Sequence, residues 1–430
     1  MPYLSSRCAA LVITAPASGQ GKTTLTAVLA WLYRRQGKSV RVFKVGSDFL
    51  DPMLLEYASG HPVYQLDLWM VGEAESRRLL AKAAQSAEVI LIEGVMGLFD
   101  GMPSTADLAA TLNIPVLTVI DASAMAQTFS AIAYGLVHYR QDIHVAGVLA
   151  NRVGSPRHAE MLINALPADI PHIAVMPRQS ESFPSRHLGL VQAGELENLN
   201  EYLNRLADSL ILNPDFVLPE LQLTSAAHQP LPKTLAGVKI GIAKDAAFAF
   251  IYQANIDCLL EMGAEIVYFS PLTDTTLPDV DSLYLPGGYP ELHLKTLSHN
   301  APLITQIQQH IAANKPILAE CGGMLFLCQT LTDKDGNQAP MCGVLQAEAK
   351  LQKRFTALAL QSVTIGTQQI RGNTYHHCSL QTTLEAIAFG SCPNGNAVSE
   401  AVYQHQRLTA SYIHFYFNSC PELVAQWFHP

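Results

Sequence analysis

The sequence predicts an α/β chain of two domains, and three observations carry that prediction. Its 430 residues exceed what one hydrophobic core usually covers. Apolar runs of strand length recur in the first half between longer helix-compatible segments: ALVIT, SVRVFKV, AEVILIEG, IPVLTVID, VAGVLANR and IAVMP. A second series, VKIGIAKD, AEIVYFSP, DSLYLPGG and PILAEC, begins only after NPDFVLPELQLTSAAHQPLPKTL, where four prolines and no clear hydrophobic period suggest a connecting segment.

Continuous apolar runs mark strands buried on both faces, so the first half reads as a doubly wound, mostly parallel sheet. Chemistry is then expected in the loops after the strands' carboxyl ends. The predicted division is a first domain over 1–215, a linker over 216–235 and a second domain over 236–430.

Composition narrows the function classes. With 49% hydrophobic and 15% charged residues, both halves can bury a core and extensive disorder is excluded. A net charge of −9 argues against general nucleic-acid binding, which needs an excess of Lys and Arg. The eight cysteines (8, 258, 321, 328, 342, 378, 392 and 420) contain no C-x-x-C pair, and reduced thiols are expected. MPYLSSRCAALVITAP makes a poor signal peptide, and no apolar stretch approaches the roughly 20 residues that span a bilayer. A cytoplasmic protein without membrane contact is the expectation.

The first motif is VITAPASGQGKTTLTAVLAWLYRRQGK. An apolar strand, a small-residue loop and Gly21-Lys22-Thr23-Thr24 opening a helix would aim backbone N–H groups at phosphate oxygens, add a cation, and offer a hydroxyl to Mg²⁺. The strict phosphate-loop pattern wants Gly where Pro16 stands. A chance G-K-T at a helix start is the bland alternative, outweighed by strand, loop and helix falling in the required order. The next strands end in FKVGSDFLDP and ILIEGVMGLFDG, which bring Asp48, Asp51, Glu93 and Asp100 to the same sheet edge. Glu93 and Asp48 are the foremost metal candidates; Asp51 reads equally as a turn residue, and any of the four can be a helix cap. Lys44 is either a phosphate partner or a surface lysine.

The second motif is KPILAECGGMLFLC. A cysteine at a tight strand-to-helix turn exposes its thiol beside backbone N–H groups, and the helix dipole lowers its pKa. A nucleophilic thiol needs a base, and LTASYIHFYF supplies His414 in a strand. A buried structural thiol and a core histidine alternating with Tyr412 and Tyr416 are the alternatives. The glycine pair after Cys321 and the separate G-G-Y loop, a candidate oxyanion hole, favour the catalytic reading. Cys328, expected on the apolar helix that follows, reads as a core thiol. Tyr375-His376-His377-Cys378 is a weak metal candidate, because adjacent strand side chains face opposite ways.

APASGQGKTT, KVGSDFLDP, EGVMGLFDG, IDASAMAQ, VAGVLANRVGSPRHAEML, FPSRHLGLV, LPGGYPELH, AECGGM and SYIHFYF, in this order along nearly the whole chain, resemble the cobyrinate a,c-diamide synthase family. The resemblance implies an N-terminal synthetase domain similar to dethiobiotin synthetase and a C-terminal class I glutamine amidotransferase domain. It implies a ligase of cobalamin biosynthesis that uses ATP and Mg²⁺ to activate the a and c acetates of a corrin acid as acyl phosphates, and ammonia from glutamine to amidate them. It carries ATP phosphate binding to Gly19, Gly21, Lys22, Thr23 and Thr24, and the metal and activation role to Asp48, Glu93 and Asp100; Thr23 as a metal ligand rests on the loop itself, whose first threonine hydroxyl can hold Mg²⁺. Asn151 and Arg152 match a segment near the nucleotide base; Cys321 matches the nucleophile, His414 its base, and Gly288 and Tyr289 the oxyanion loop. A homodimer stays open.

Two departures stand out. The family reads close to RGHEFHYS where this chain has RGNTYHHC, so Thr374 replaces an acidic residue, while Arg371, Gly372 and His376 remain. Class I amidotransferases carry Glu two residues beyond the base, where this chain has Tyr416, so a third member of the triad must come from elsewhere. Two alternatives accompany this reading: the same chemistry on hydrogenobyrinate or a nickel tetrapyrrole, and, from a different class, a non-enzymatic nucleotide switch, which gives no reason for Cys321 and His414.

Overall fold

The computed structural model describes residues 4–180, 185–186, 189–190, 198–352, 354, 356–395 and 397–430, so most of FPSRHLGLV lies outside the described residues. The chain divides into two compact units, Met1–His228 and Gln229–Pro430.

The first unit is built on a nine-stranded sheet, eight strands of which run in the order Ile211–Leu212, His172–Pro177, Val145–Val153, Val116–Asp121, Leu4–Thr14, Val89–Glu93, Val40–Val45, Tyr64–Leu66, with the ninth, Glu220–Ser225, paired to Leu4–Thr14. Neighbours from His172–Pro177 through Tyr64–Leu66 pair in parallel. Every apolar run singled out in the first half is one of these strands, and Val89–Glu93 (VILIE) is buried along its whole length, as a central parallel strand must be. Leu4–Thr14 has Val116–Asp121 on one side and Val89–Glu93 on the other, so the chain switches direction of travel there and a crevice opens beyond its carboxyl end. The helix Lys22–Arg35 starts at that crevice and shares one core with the sheet through Leu25, Val28, Leu29, Leu11, Ile13 and Leu91.

The segment expected as a linker is not featureless. Glu220–Ser225 within it forms a strand antiparallel to the start of Leu4–Thr14, running from Leu4 opposite Ser225 to Ala9 opposite Glu220. The physical reason lies in ELQLTS, whose leucines alternate with polar residues so that Leu223 is buried while Gln222 and Thr224 are exposed. The flanking prolines conceal this short period.

The second unit carries a ten-stranded sheet. Glu265–Phe269, Lys239–Ala243, Ser282–Leu285, Ile317–Glu320 and Leu408–Ser411 run parallel, and the sheet continues antiparallel through Ala401–His405, Ala386–Ser391, Ala357–Ile365, Gln368–His376 and Ile413–Phe415. A separate four-stranded sheet includes Cys328–Thr332 and Cys378–Thr382. Cys328 therefore opens a strand; the preceding helix stops at Leu327. Its thiol stays in the core, wholly buried and donating to the Met324 carbonyl at 3.4 Å. No helix among the described residues is long and apolar enough to cross a membrane.

Candidate functional site

In the first unit a cavity of about 550 Å³ opens at the crevice, lined by Gly19, Gly21, Lys22, Thr23 and Thr24 from the loop and by Lys44, Asp48, Asp51 and Glu93 from the neighbouring strand ends. Gly21 sits at φ 95°, and a Cβ there would run into Asn151, so the turn requires glycine both for its backbone and for space. Lys22 Nζ donates to the Met96 carbonyl at 2.6 Å and to the Ala17 carbonyl at 3.2 Å, bridging the cavity. Burial lowers the Lys22 pKa, and the charge of Lys44 adds to the effect.

Register explains the carboxylate cluster. Lys44 lies directly opposite Glu93 in the parallel pair, so the two side chains emerge side by side. Lys44 Nζ is 3.0 Å from Glu93, 2.8 Å from Asp51 and 3.9 Å from Asp48. It is almost fully buried, which removes its surface-lysine reading. Burial works against its charge, but Glu93, Asp51 and Asp48 more than offset this and hold the amine well above its ordinary pKa. Burial pushes Glu93 up to about 7 against the pull of Lys44, and raises Asp48 to about 6 with help from Asp51. For Asp51 burial is again the largest influence and pushes upward, but the charge of Lys44 and the hydrogen bonds with Asp48, Lys44 and Thr23 together outweigh it and the pKa falls.

The Mg²⁺ reading can be tested on these residues. Thr23 Oγ1 donates to Glu93 Oε1 at 2.6 Å, whereas Glu93 Oε2 is buried with no hydrogen-bond partner among the described residues. A buried, unsatisfied carboxylate oxygen beside a loop hydroxyl is a donor set that suits a hard cation. Asp48 also caps the following helix, accepting from Leu50 N at 2.8 Å. Asp100 departs from expectation. It is exposed, does not line the cavity, and accepts from Gly97 N at 3.1 Å, because its short loop turns the carboxylate back on its own backbone.

A second cavity of about 490 Å³ shares Gly21, Thr24 and Arg152 with the first and adds Asn151, Ser123, Gln179 and Tyr202. Asn151 Nδ2 donates to the Gln20 carbonyl at 2.8 Å, and Arg152, at φ 58°, pairs with Asp121. Amide and hydroxyl groups beside a ring and Met176 suit a nucleobase next to the phosphate cradle. Ser123, Gln179 and Tyr202 were not legible beforehand; only their places after strands or on a neighbouring helix hinted at them.

In the second unit, Cys321 stands between Ile317–Glu320 and the helix Gly322–Leu327 with φ 43° and ψ −109°, a conformation non-glycine residues rarely hold. Its N–H donates to the Ser411 carbonyl at 2.7 Å, fixing the elbow to the next strand. A Cβ built on Gly322 would lie 2.8 Å from Gly288 N, so the thiol turn comes this close to the G-G-Y loop only because residue 322 is glycine. A Cβ on Gly287 would run into the His414 ring. The strand residue His414 and the turn that carries Cys321 thus border the same loop.

Burial pushes the Cys321 thiol well above its ordinary pKa, and Glu291 adds to the shift while the Gly322 N–H opposes it. Burial, with His376 second, lowers His414 to about 3. At rest the pair is a neutral thiol and a neutral imidazole, the form in which histidine can take a proton. The acid absent at Thr374 is replaced in space. Glu400 Oε1 accepts from Thr374 Oγ1 at 3.2 Å and lies 2.8 Å from His376 Nε2, and the His376 ring stacks on Tyr412 at 3.7 Å.

A phosphate-cradling α/β unit and a thiol-elbow α/β unit on one chain define a glutamine-dependent amidating ligase. Residues 11–190 match the CobQ/CobB/MinD/ParA nucleotide binding domain, and residues 239–421 match the CobB/CobQ-like glutamine amidotransferase domain. The chain is 57% identical to hydrogenobyrinate a,c-diamide synthase of Pseudomonas aeruginosa, over 99% of this chain and 98% of that one. It is 57% identical to the protein of the same name in Stutzerimonas stutzeri, over 99% and 100%, and 46% identical to cobyrinate a,c-diamide synthase of Herminiimonas arsenicoxydans, over 98% and 96%. The chain belongs to the cobyrinate and hydrogenobyrinate a,c-diamide synthase family.

Proposed function

We propose that this chain converts the a and c acetates of hydrogenobyrinate to amides, using ATP and glutamine, as a step of cobalamin biosynthesis. The observation that carries the substrate is the identity gap: two relatives at 57% bear the hydrogenobyrinate name, against 46% for the relative named for cobyrinate. Cobyrinate is the second reading, supported by that last relative.

A carboxylate is inert toward ammonia. Its oxygen attacks the γ-phosphorus of ATP, ADP leaves, and the acyl phosphate then loses phosphate when ammonia attacks the carbonyl carbon. In this reading Gly19, Gly21, Lys22, Thr23 and Thr24 hold the phosphates, Lys44 faces the transferring group, and Asn151 and Arg152 flank the base. Thr23, Glu93 and Asp48 are the residues that would hold Mg²⁺, which supplies positive charge to the phosphoryl oxygens when bound. Asp100 acts from outside the cavity, through the shape of its loop and through its charge, which favours the charged form of Lys22.

Cys321 Sγ attacks the glutamine carboxamide, the tetrahedral oxygen points at the Gly288 and Tyr289 backbone, and His414 takes the thiol proton and passes it to the leaving ammonia. Water then hydrolyses the thioester to glutamate. The reading includes work in the cytoplasm without nucleic acid or membrane, and a homodimer to be sought by light scattering.

The test is mass analysis of products from hydrogenobyrinate and from cobyrinate, each with ATP, Mg²⁺ and glutamine. Two amidations of hydrogenobyrinate are expected at a higher kcat/KM than for cobyrinate. Amidation of cobyrinate alone would transfer the assignment to the second reading, and failure with both acids would overturn it.

A further inference from the structure

Tyr416 occupies the place where class I amidotransferases carry the carboxylate that orients the base, and it is wholly buried against Tyr252 with ring centroids 6.2 Å apart. A carboxylate nevertheless lies close to His414. Glu320, the residue before Cys321 in the chain, is 1% exposed, and its Oε2 is 3.9 Å from His414 Nδ1. We infer that Glu320 is the positioning residue of the glutaminase half: its carboxylate holds the His414 ring with Nδ1–H turned toward it, leaving Nε2 to accept the Cys321 proton. This rests on the reading of His414 as the base for Cys321.

Three features support the assignment. Glu320 is itself held at both oxygens: Tyr284 Oη donates to Oε2 at 2.8 Å and Phe415 N donates to Oε1 at 3.0 Å. Phe415 is the residue after His414, so the bond that aims the carboxylate also fixes the backbone carrying the ring. The strand pairing sets Glu320 opposite Ser411 in parallel, and the chain reaches His414 within three residues of that point. A separation of 3.9 Å is longer than a hydrogen bond, but catalytic bonds without substrate are commonly long and tighten in the complex. The other histidine near the thiol turn, His376, already has its own carboxylate in Glu400.

Burial pushes the Glu320 carboxyl up to about 8, although the bonds from Tyr284 and Phe415 favour its charge. Its ionisation therefore falls where glutaminase assays are run. The titratable groups around the pair are Cys321 beside Glu320 in sequence, Tyr284 on its neighbouring strand, and His376, whose charge acts on His414. Tyr284 and Cys321 both have raised pKa values, so neither ionises ahead of Glu320.

The experiment measures glutaminase kcat, KM and pH profile in the full chain for Glu320→Gln and His414→Asn, with ammonia-driven ligation reporting an intact first unit. Glu320→Gln, which keeps the size of the side chain, is expected to lower kcat by about 10²-fold or more while leaving the KM for glutamine within a few-fold. The limb of the wild-type profile that rises toward pH 8 is expected to vanish in this variant. Wild-type kcat and profile in Glu320→Gln, with His414→Asn inactive, would overturn the role of Glu320 alone. Full glutaminase activity in His414→Asn would overturn the base assignment beneath it. Nitrogen-15 spectra of the wild-type histidine rings test the same point without relying on a variant's folding. His414 is expected as the Nδ1–H tautomer above the limb, and an Nε2–H tautomer there would overturn the inference.

Discussion

The Thr23 hydroxyl donates to Glu93 Oε1 at 2.6 Å, joining the phosphate loop to the end of a central strand. The same oxygen lies 3.0 Å from Lys44 Nζ, so one buried carboxylate links the loop, the neighbouring strand and the cation facing the cavity. A change at either end of this link is expected to alter the first unit's chemistry without reaching the thiol.

Glu93→Gln keeps the shape of the side chain and removes its charge. Ligation is expected to fall by roughly 10²-fold or more with either glutamine or ammonia as nitrogen source, because one of the carboxylates that would hold Mg²⁺ beside the transferring phosphoryl is lost. Glutamine hydrolysis should persist. Parallel assays of ADP and glutamate release check both halves, and selective loss of glutamine-driven ligation would contradict the assignment.

Cys321→Ser puts a weaker nucleophile at the elbow. Glutamine-driven ligation is expected to fall by about 10³-fold or more, while ammonia-driven ligation stays near wild type. The ratio of the two rates is the measurement.

Lys44→Met leaves the carboxylates of Glu93, Asp51 and Asp48 facing one another without a cation. Removing one partner from a buried charge cluster costs about 3–5 kcal/mol, so the first unit should melt at a clearly lower temperature at pH 8. The loss should be smaller at pH 5: with Lys44 in place burial already raises Glu93 and Asp48 to about 7 and about 6, and without its pull both rise further, so at pH 5 they take up protons and the repulsion falls. Thermal melts at the two pH values decide it.

Glu291 follows the G-G-Y loop, and burial raises its carboxyl to about 7. Its folded pKa lies above the unfolded value, so its contribution to stability is fully present below about pH 4.5 and is lost as pH rises through 7. Glu291→Gln has no charge to bury. The variant is expected to match wild type near pH 5 and to exceed it at pH 8 by on the order of 3 kcal/mol, readable in denaturant titrations.

Gly322→Ala places a methyl 2.8 Å from Gly288 N. The two glycine turns must part, and glutaminase kcat is expected to drop by about 10²-fold as the oxyanion donors move. Ammonia-driven ligation should hold.

What the sequence made legible follows the strength of local signals. The parallel strands were readable because VILIE and its like are apolar on both faces, and the phosphate loop because strand, small residues and G-K-T-T occur in one order. Cys321 was readable from the glycines that allow its turn. Glu320 was not, since a glutamate inside a buried run looks like a misfit until Tyr284 and Phe415 are seen to hold it. Glu400 was equally hidden, because its meeting with Thr374 and His376 depends on pairing between strands distant in sequence. The direction of the Asp100 carboxylate is a property of its loop, which no spacing rule reports.

The strand Glu220–Ser225, lying against residues 4–9, has a practical consequence for the first unit. A fragment ended at 215 would expose a row of unpaired backbone groups along Leu4–Ala9, an invitation to association between copies. A fragment carried to His228 retains the strand that covers them. Since this pairing brings the beginning and the end of the unit side by side, a short bridge between them should permit a circular permutant with new termini in an exposed turn, such as the one around Gly37.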